Sequence, residues 1–402
     1  MHVVIAGAGV GGLCLAQGLR KNGIETTVLE RDPSAHARFQ GLRLRIDAHG
    51  RAALSACLPD NLYELAMATA NPLYMSRGIG LDEQLREIFS VRRPDGPVDP
   101  ARASTVVNRK TLRQILLTGL GDSVHFDTAV VGYETGDRVR VHTGDGTTWV
   151  ADVLVGADGI GSAVRGQLLP EIGLLDTGLR AIYGQMNLDQ DNLSWVPPVL
   201  FGGSRPVLAP GPKTLACGIF QPQTEVGAAV RRFAPGSAID PVHSYLKWTL
   251  VAPREVFGLD EAALFALTPA RLHELALEHT IDWSPLLRRI MAESLVDEVF
   301  PLSIRVTEPG AQWSPSRVTL LGDAIHATAP VGGIGANTAL RDAAALSEYL
   351  ALALVDGVDP VVAIGRYESE MREYGYAAVR DSLHGSEQLF RTGPLVEGGA
   401  AR

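Results

Sequence analysis

Hydrophobic positions along this chain follow two different periods, and the changes between them mark its parts. The short apolar run Val3 to Ile5 predicts a buried strand. Leu13, Leu15, Ala16 and Leu19 then fall on one helical face, and Lys21-Asn22-Gly23 ends that helix. Thr26 to Leu29 predicts a second strand. Helical spacing returns at Leu112, Ile115, Leu116 and Leu120. A second buried strand signal, Val153 to Val155, runs into Ala157-Asp158-Gly159 and then a helix carrying Ser162 and Arg165. A third apolar run ends at Gly322-Asp323 and leads through a glycine-rich loop into a helix from Asn337 to Leu352. In "GLRLRID", Gly41, Arg43, Arg45 and Asp47 share one strand face, while Leu42, Leu44 and Ile46 take the other.

Between about Thr177 and Ser303 the pattern differs. "GLRAIYGQMNL", "VLFGGSRPVLAP", "KTLACGIFQP" and "SYLKWTLVAP" are β-rich pieces broken by Gly and Pro. Two helices follow, with Thr268 and Ser284 as caps and Pro just inside each. A charged C-terminal helix is expected over Tyr367 to His384, and the tail "VEGGAAR" reads as disordered.

The N-terminal strand–turn–helix–strand carries Gly7, Gly9 and Gly12 as GxGxxG. The first glycine allows a tight turn, the second admits a pyrophosphate to the backbone, and the third lets helix pack on strand. Glu30, eighteen residues after Gly12, stands where a carboxylate accepts ribose hydroxyls. This predicts a dinucleotide site without separating NAD from FAD.

Composition narrows the classes. The 402 residues hold two or three domains' worth of material, 46% hydrophobic and 20% charged. A net charge of −9 without a Lys/Arg cluster argues against nucleic acid. Cys14, Cys57 and Cys217 form no CxxC pair, which suits a reducing compartment. The apolar N-terminus lacks the basic segment of a signal peptide, and no uncharged run is long enough to span a membrane. The expectation is a soluble, cytoplasmic protein, monomer or homodimer. No third ligand accompanies Asp323 and His326, so no metal is expected, and "DAIHATAP" is no GxSxG elbow.

Four segments, the GxGxxG unit, "VVNRKTLRQILLTGL", "WVADVLVGADGIGSAVR" and "LLGDAIHATAPVGGIGANTALRDA", together resemble the FAD-dependent aromatic hydroxylases, the single-component flavoprotein monooxygenases with the p-hydroxybenzoate hydroxylase fold. The resemblance implies an α/β chain with a Rossmann-like FAD-binding domain, an inserted β-sheet substrate domain and a C-terminal helix. The FAD-binding part is expected at 1–75, 100–175 and 300–360. The substrate part is expected at 76–99 and 176–299, and the C-terminal helix and tail at 361–402. The resemblance assigns Gly7, Gly9, Gly12 and Glu30, with neighbouring Arg31, to the ADP half of FAD. It assigns Arg109 to the flavin phosphates, Asp158 to the region of the pyrophosphate and nicotinamide use, and Asp323 to the ribityl chain. The loop from Pro330 through Gly333, Gly335, Ala336 and Asn337 is assigned to the isoalloxazine ring. Relatives often carry Gln where this chain has Ile334.

The activity implied is NAD(P)H-dependent reduction of FAD, reaction with molecular oxygen to a C4a-hydroperoxide, and hydroxylation of an aromatic or polycyclic small molecule. NAD(P)H would dock transiently, since there is no second GxGxxG. An epoxidase, a Baeyer-Villiger-type oxygenase, a dehydrogenase of this fold, or a flavin-less binding protein are the alternatives.

Other residues carry two readings each. His326 is a structural or flavin-adjacent histidine rather than a catalytic one. Arg43 and Arg45 form either a solvated basic face or contacts to FAD or substrate. Asp342 is a helix residue bonded to a neighbouring loop. Tyr183, Met186, Phe201, Phe220 and Trp248 line a substrate pocket or pack the core. Arg205 is the lone arginine of its segment, with no motif that would hold a benzoate-like carboxylate.

Overall fold

The computed structural model describes residues 1–37, 42–72, 77–92 and 104–390. Gly41 and the C-terminal tail lie outside them. A parallel five-stranded sheet runs in the order Val318–Leu320, Val153–Gly156, His2–Ala6, Glu25–Leu29 and Val124–His125. Its central strands are continuous apolar runs because both faces are covered, by helices and by an antiparallel meander, and Val3, Val4, Ile5, Val153, Leu154 and Val155 are all 0% exposed. The helix Val10–Lys21 lies against the long helix Gly335–Asp356, which joins the two ends of the chain. An antiparallel meander, Val130–Glu134, Val139–Thr143 and Thr148–Ala151, precedes the strand Val153–Gly156.

The middle of the chain builds a seven-stranded sheet. Its order is Phe300–Thr307, Leu174–Asn187, Tyr245–Pro253, Thr214–Phe220, Ser204–Leu208, Arg77–Leu81 and Glu87–Arg92. All pairs are antiparallel except Ser204–Leu208 with Arg77–Leu81. Side chains alternate across such a sheet, so the register sorts them. Tyr183 pairs with Thr249, Gln185 with Lys247 and Asn187 with Tyr245, which puts these six on one face. Gly184 pairs with Trp248 and Met186 with Leu246 on the other. That second face packs with Leu272, Leu275, Leu287, Ile290 and Met291 of the helices Pro269–Glu278 and Pro285–Ala292. Thr268 and Ser284 cap those helices through the amides of Arg271 and Leu286.

This arrangement corrects two expected pocket residues. Trp248 and Met186 are both 0% exposed in the core of the far face, and Trp248 Nε1 donates to Ser294 Oγ at 2.7 Å. Period-2 alternation could not tell which face looks inward. Trp248→Ala should therefore destabilise the chain by about 3–5 kcal/mol. Urea unfolding followed by circular dichroism checks this; an unchanged midpoint would contradict the core placement of Trp248.

A small sheet, Arg43–Ile46, Thr105–Asn108 and Asn71–Pro72, ties the two large sheets together. The C-terminal helix is Pro360–Phe390, longer at both ends than its charge pattern suggested. Val379 and Phe390 on it pack with Leu179, Val251 and Ala329.

Candidate functional site

At the first turn, Gly7 N–H donates to Leu29 O at 2.7 Å, closing the strand–turn–helix on the second strand. Gly9 precedes the first helical turn. The turn needs its third glycine for lack of space: a Cβ on Gly12 would stand 2.2 Å from Gly7 O. Glu30 is 3% exposed; its Oε2 accepts from Ala8 N at 2.7 Å and its Oε1 from Asp32 N at 2.9 Å. Arg31 beside it is exposed.

One residue here escaped sequence reasoning. Arg113 is 7% exposed, with Nε donating to Ala8 O at 2.8 Å and a second nitrogen to Ala35 O at 3.0 Å. Its remaining nitrogen lies 3.6 Å from Glu30 and 3.7 Å from Asp32. It sits one helical turn after Arg109 in Arg109–Leu117, and that i,i+4 spacing was the available signal. Arg109, Arg113, Gly9 and Val10 open on a cleft of about 270 Å³ that reaches Gln185, Asn187 and Tyr245 on the seven-stranded sheet.

The second strand end enters the same region. Gly322 has φ 62° and ψ −142°, a conformation a side chain would strain, and Asp323 begins the short helical turn Asp323–His326. Asp342 holds this turn from the long helix. Its Oδ2 accepts from Gly322 N at 2.8 Å and lies 2.7 Å from His326 Nε2, while its Oδ1 accepts from Tyr374 O–H at 2.6 Å. His326 and Asp342 are both 0% exposed. Burial alone would lower the His326 pKa, but the adjacent Asp342 carboxylate outweighs it and raises the value. His326 is thus a support of the turn. Asp323 keeps an exposed side chain although protein packs around it. Enclosure raises its pKa, opposed by His326 and by Arg109.

The glycine loop is clamped from outside. Gly332 and Gly333 have φ of 76° and 65°. Arg45 donates to Gly332 O at 3.2 Å and to Ser104 Oγ at 2.9 Å. The Asn337 side chain donates to Arg45 O and Gly333 O, each at 2.8 Å, and accepts from Asp47 N at 2.9 Å. Gly335 begins the long helix, where a Cβ would crowd Thr328 Oγ1 at 2.7 Å. Ala336 is half-buried beside it and Pro330 is exposed.

Arg43 turns away from the loop to donate to Ile219 O at 3.1 Å on the seven-stranded sheet. Neither Arg43 nor Arg45 belongs to a solvated basic face. Tyr183 stacks on Phe300 with centroids 5.1 Å apart, on the cleft side of that sheet. Phe220 is 1% exposed against Tyr245, whose hydroxyl donates to Leu42 O at 2.8 Å. Phe201 edges the far-face core, and Arg205 is spent on Val199 O and Phe201 O there. Asp158 turns into its own loop, accepting from Ala163 N at 2.8 Å.

The donor set fits a flavin dinucleotide. A helix N-terminus and arginine suit a diphosphate, the Asp323 carboxylate suits chain hydroxyls, and Gly332 and Gly333 hold positive φ that a side chain would strain.

Comparison with known proteins agrees. The model of the FAD binding domain family matches residues 1–46 and 288–382. An FAD-dependent monooxygenase of Trichoderma harzianum is 30% identical, with 94% of this chain and 91% of that protein covered. A dual O-methyltransferase/FAD-dependent monooxygenase of Cercospora beticola is 32% identical over 98% of this chain, which spans 47% of that longer protein. A solved chain from Photorhabdus luminescens subsp. laumondii, assigned as an FAD-containing monooxygenase, is 30% identical and superimposes with a TM-score of 0.83 over 97% of this chain and 99% of its own. This chain belongs to the FAD-dependent monooxygenases.

Proposed function

We propose that this enzyme uses NAD(P)H and molecular oxygen to hydroxylate an aromatic or polycyclic small molecule on bound FAD. The observation that carries this reading is one cleft joining two ends. The first-helix N-terminus with Arg109 lies at one end and a wall containing Gln185 and Asn187 at the other, with Tyr183 on the same face of that sheet. Bound FAD would supply reduction by the nicotinamide and activation of oxygen.

The chain's own residues do the rest. Gly9, Val10 and Arg109 hold the diphosphate. Glu30, fixed by the Ala8 and Asp32 amides, faces the ribose. Asp323 takes the ribityl hydroxyls, and the loop from Pro330 to Asn337 fixes the ring plane. The seven-stranded sheet roofs the reacting edge and keeps water out. This divides the chain into an FAD-binding part at 1–75, 100–175 and 300–360 and a substrate part at 76–99 and 176–299.

The purified protein should be yellow, oxidise NADH or NADPH, and transfer one atom of labelled dioxygen to its product. Asp323→Ala should weaken FAD binding by about 10- to 100-fold, the loss of charge-assisted hydrogen bonds. A colourless protein that takes up no FAD overturns the reading. Full FAD affinity in Asp323→Ala overturns the ribityl assignment alone.

A further inference from the structure

On the cleft side of the seven-stranded sheet two cations stand together. Lys247 is enclosed in the protein yet retains accessible surface, so it lines internal space rather than bulk solvent. Its Nζ donates to Thr249 Oγ1 at 3.1 Å and lies 5.2 Å from the Tyr183 ring centroid. Its cross-strand partner on Thr214–Phe220 is Gly218. The missing side chain there makes room for the second cation: a Cβ on Gly218 would lie 2.1 Å from an Arg43 guanidinium nitrogen. Arg43 therefore occupies the place beside Lys247 that a side chain at 218 would fill.

Among the described residues, no carboxylate acts on either cation of the pair. Tyr245 acts on Arg43, and Arg43 and Cys217 act on Lys247. Tyr183 and Gln185 face it from Leu174–Asn187, and Gln185 is tied to Glu298. Burial, with Arg43 adding to it, lowers the Lys247 pKa to about 8. Two desolvated like charges without a counter-ion are costly unless an anion joins them. The diphosphate of the cofactor is claimed by the first-helix N-terminus at the other end of the cleft.

We propose that Arg43 and Lys247 hold an acidic oxygen of the substrate, a phenolic hydroxyl or a carboxylate, beside the aromatic wall of Tyr183. This rests on the reading that a ring-bearing substrate occupies the cleft. When Lys247 already carries its proton, the acid binds as the anion; when the acid enters protonated and meets Lys247 as the neutral amine, its O–H bond breaks, the proton passes to that amine, and the electron pair stays on oxygen.

The test uses the FAD-loaded protein and three probes of one shape: 2-naphthol, 2-naphthoic acid and naphthalene. At least one acid should bind about tenfold or more tightly than naphthalene, and which acid does so tells phenol from carboxylate. Lys247→Met and Arg43→Met should each remove most of that preference, while Lys247→Arg restores it for the anion. Bound 2-naphthol should ionise at lower pH than free, read from its red-shifted absorption, and lose that shift in Lys247→Met. Gly218→Val, which displaces Arg43 without removing a charge, should also weaken the preference. Equal affinity for the three probes, or binding of none, overturns the proposal. So does an undiminished preference in Lys247→Met and Arg43→Met. FAD content separates the two levels: a yellow protein without the preference overturns this inference alone, and a colourless one overturns the function beneath it as well.

Discussion

Asp342→Ala is expected to be the most damaging single change far from any ligand contact. It should cost about 3–5 kcal/mol, the penalty for breaking a buried ion pair by removing one partner. Gly322 N–H, His326 and the Tyr374 hydroxyl all lose their acceptor at once. His326 is fully enclosed, and Gly375 lies so close that a Cβ there would stand 2.6 Å from its ring. The turn that presents Asp323 then loses its support, so FAD affinity falls together with stability. Asp342→Asn should be milder, because an acceptor remains for Gly322 while the charge is gone. Urea denaturation with and without FAD, and flavin fluorescence titration, measure both effects. An unchanged midpoint and FAD affinity would show that the network supports nothing.

The same pair has a pH signature. The folded His326 value is raised above its unfolded one, so the pair contributes fully below the ordinary imidazole range and is lost as pH rises through the raised folded value. Wild-type protein should lose stability relative to Asp342→Asn over that interval. Parallel curves for the two proteins would contradict it.

The second large effect separates two glycines three residues apart. Gly9→Val should leave stability in the absence of FAD nearly unchanged yet greatly reduce FAD binding. Gly9 has φ −74°, and nothing in the protein lies within 4 Å of a Cβ placed there. The proposed diphosphate position lies in that open space. Gly12→Val should damage both. Its Cβ would meet Gly7 O at 2.2 Å and Ala157 Cβ at 3.2 Å, so the first helix must move off its strand. That overpacking costs about 1–3 kcal/mol, and displacing the helix N-terminus by about 1 Å weakens a positioned ligand by about 100-fold. Thermal melts of the FAD-free proteins, set beside their FAD affinities, distinguish the two. Equal melting temperatures for both variants would contradict the packing argument.

Much of the candidate site was legible because its signals are local. Gly7, Gly12 and Gly322 answer to backbone conformation or contact within a turn, and such demands restrict residue type directly. Glu30 stands at a strand end whose distance from the glycines follows from one strand–helix–strand unit. Asp323, likewise, ends a buried strand. The caps Thr268 and Ser284 were read from a few residues of sequence and stand where the helices begin.

The inward-facing side chains of the seven-stranded sheet were not legible in that way. Trp248 and Lys247 are neighbours in sequence, yet one is sealed in the far core and the other faces the cleft. Alternation alone says only that they oppose each other; which side is roof depends on what packs beneath. The Asn337 side chain latches Arg45 and Gly333, a contact the sequence did not show because Arg45 lies on a strand near the other end of the chain.

The amino-acid sequence alone determined the dinucleotide turn, the two acidic strand ends and the α/β class, since each is set by the chemistry of a few adjacent residues. Only the tertiary structure decided that Asp342 carries the turn under Asp323, that Arg113 buttresses Glu30, and that Gly218 opens a place for Arg43 beside Lys247. Each of those joins residues far apart in sequence, and such contacts exist only after sheet register and helix packing have brought distant backbone together.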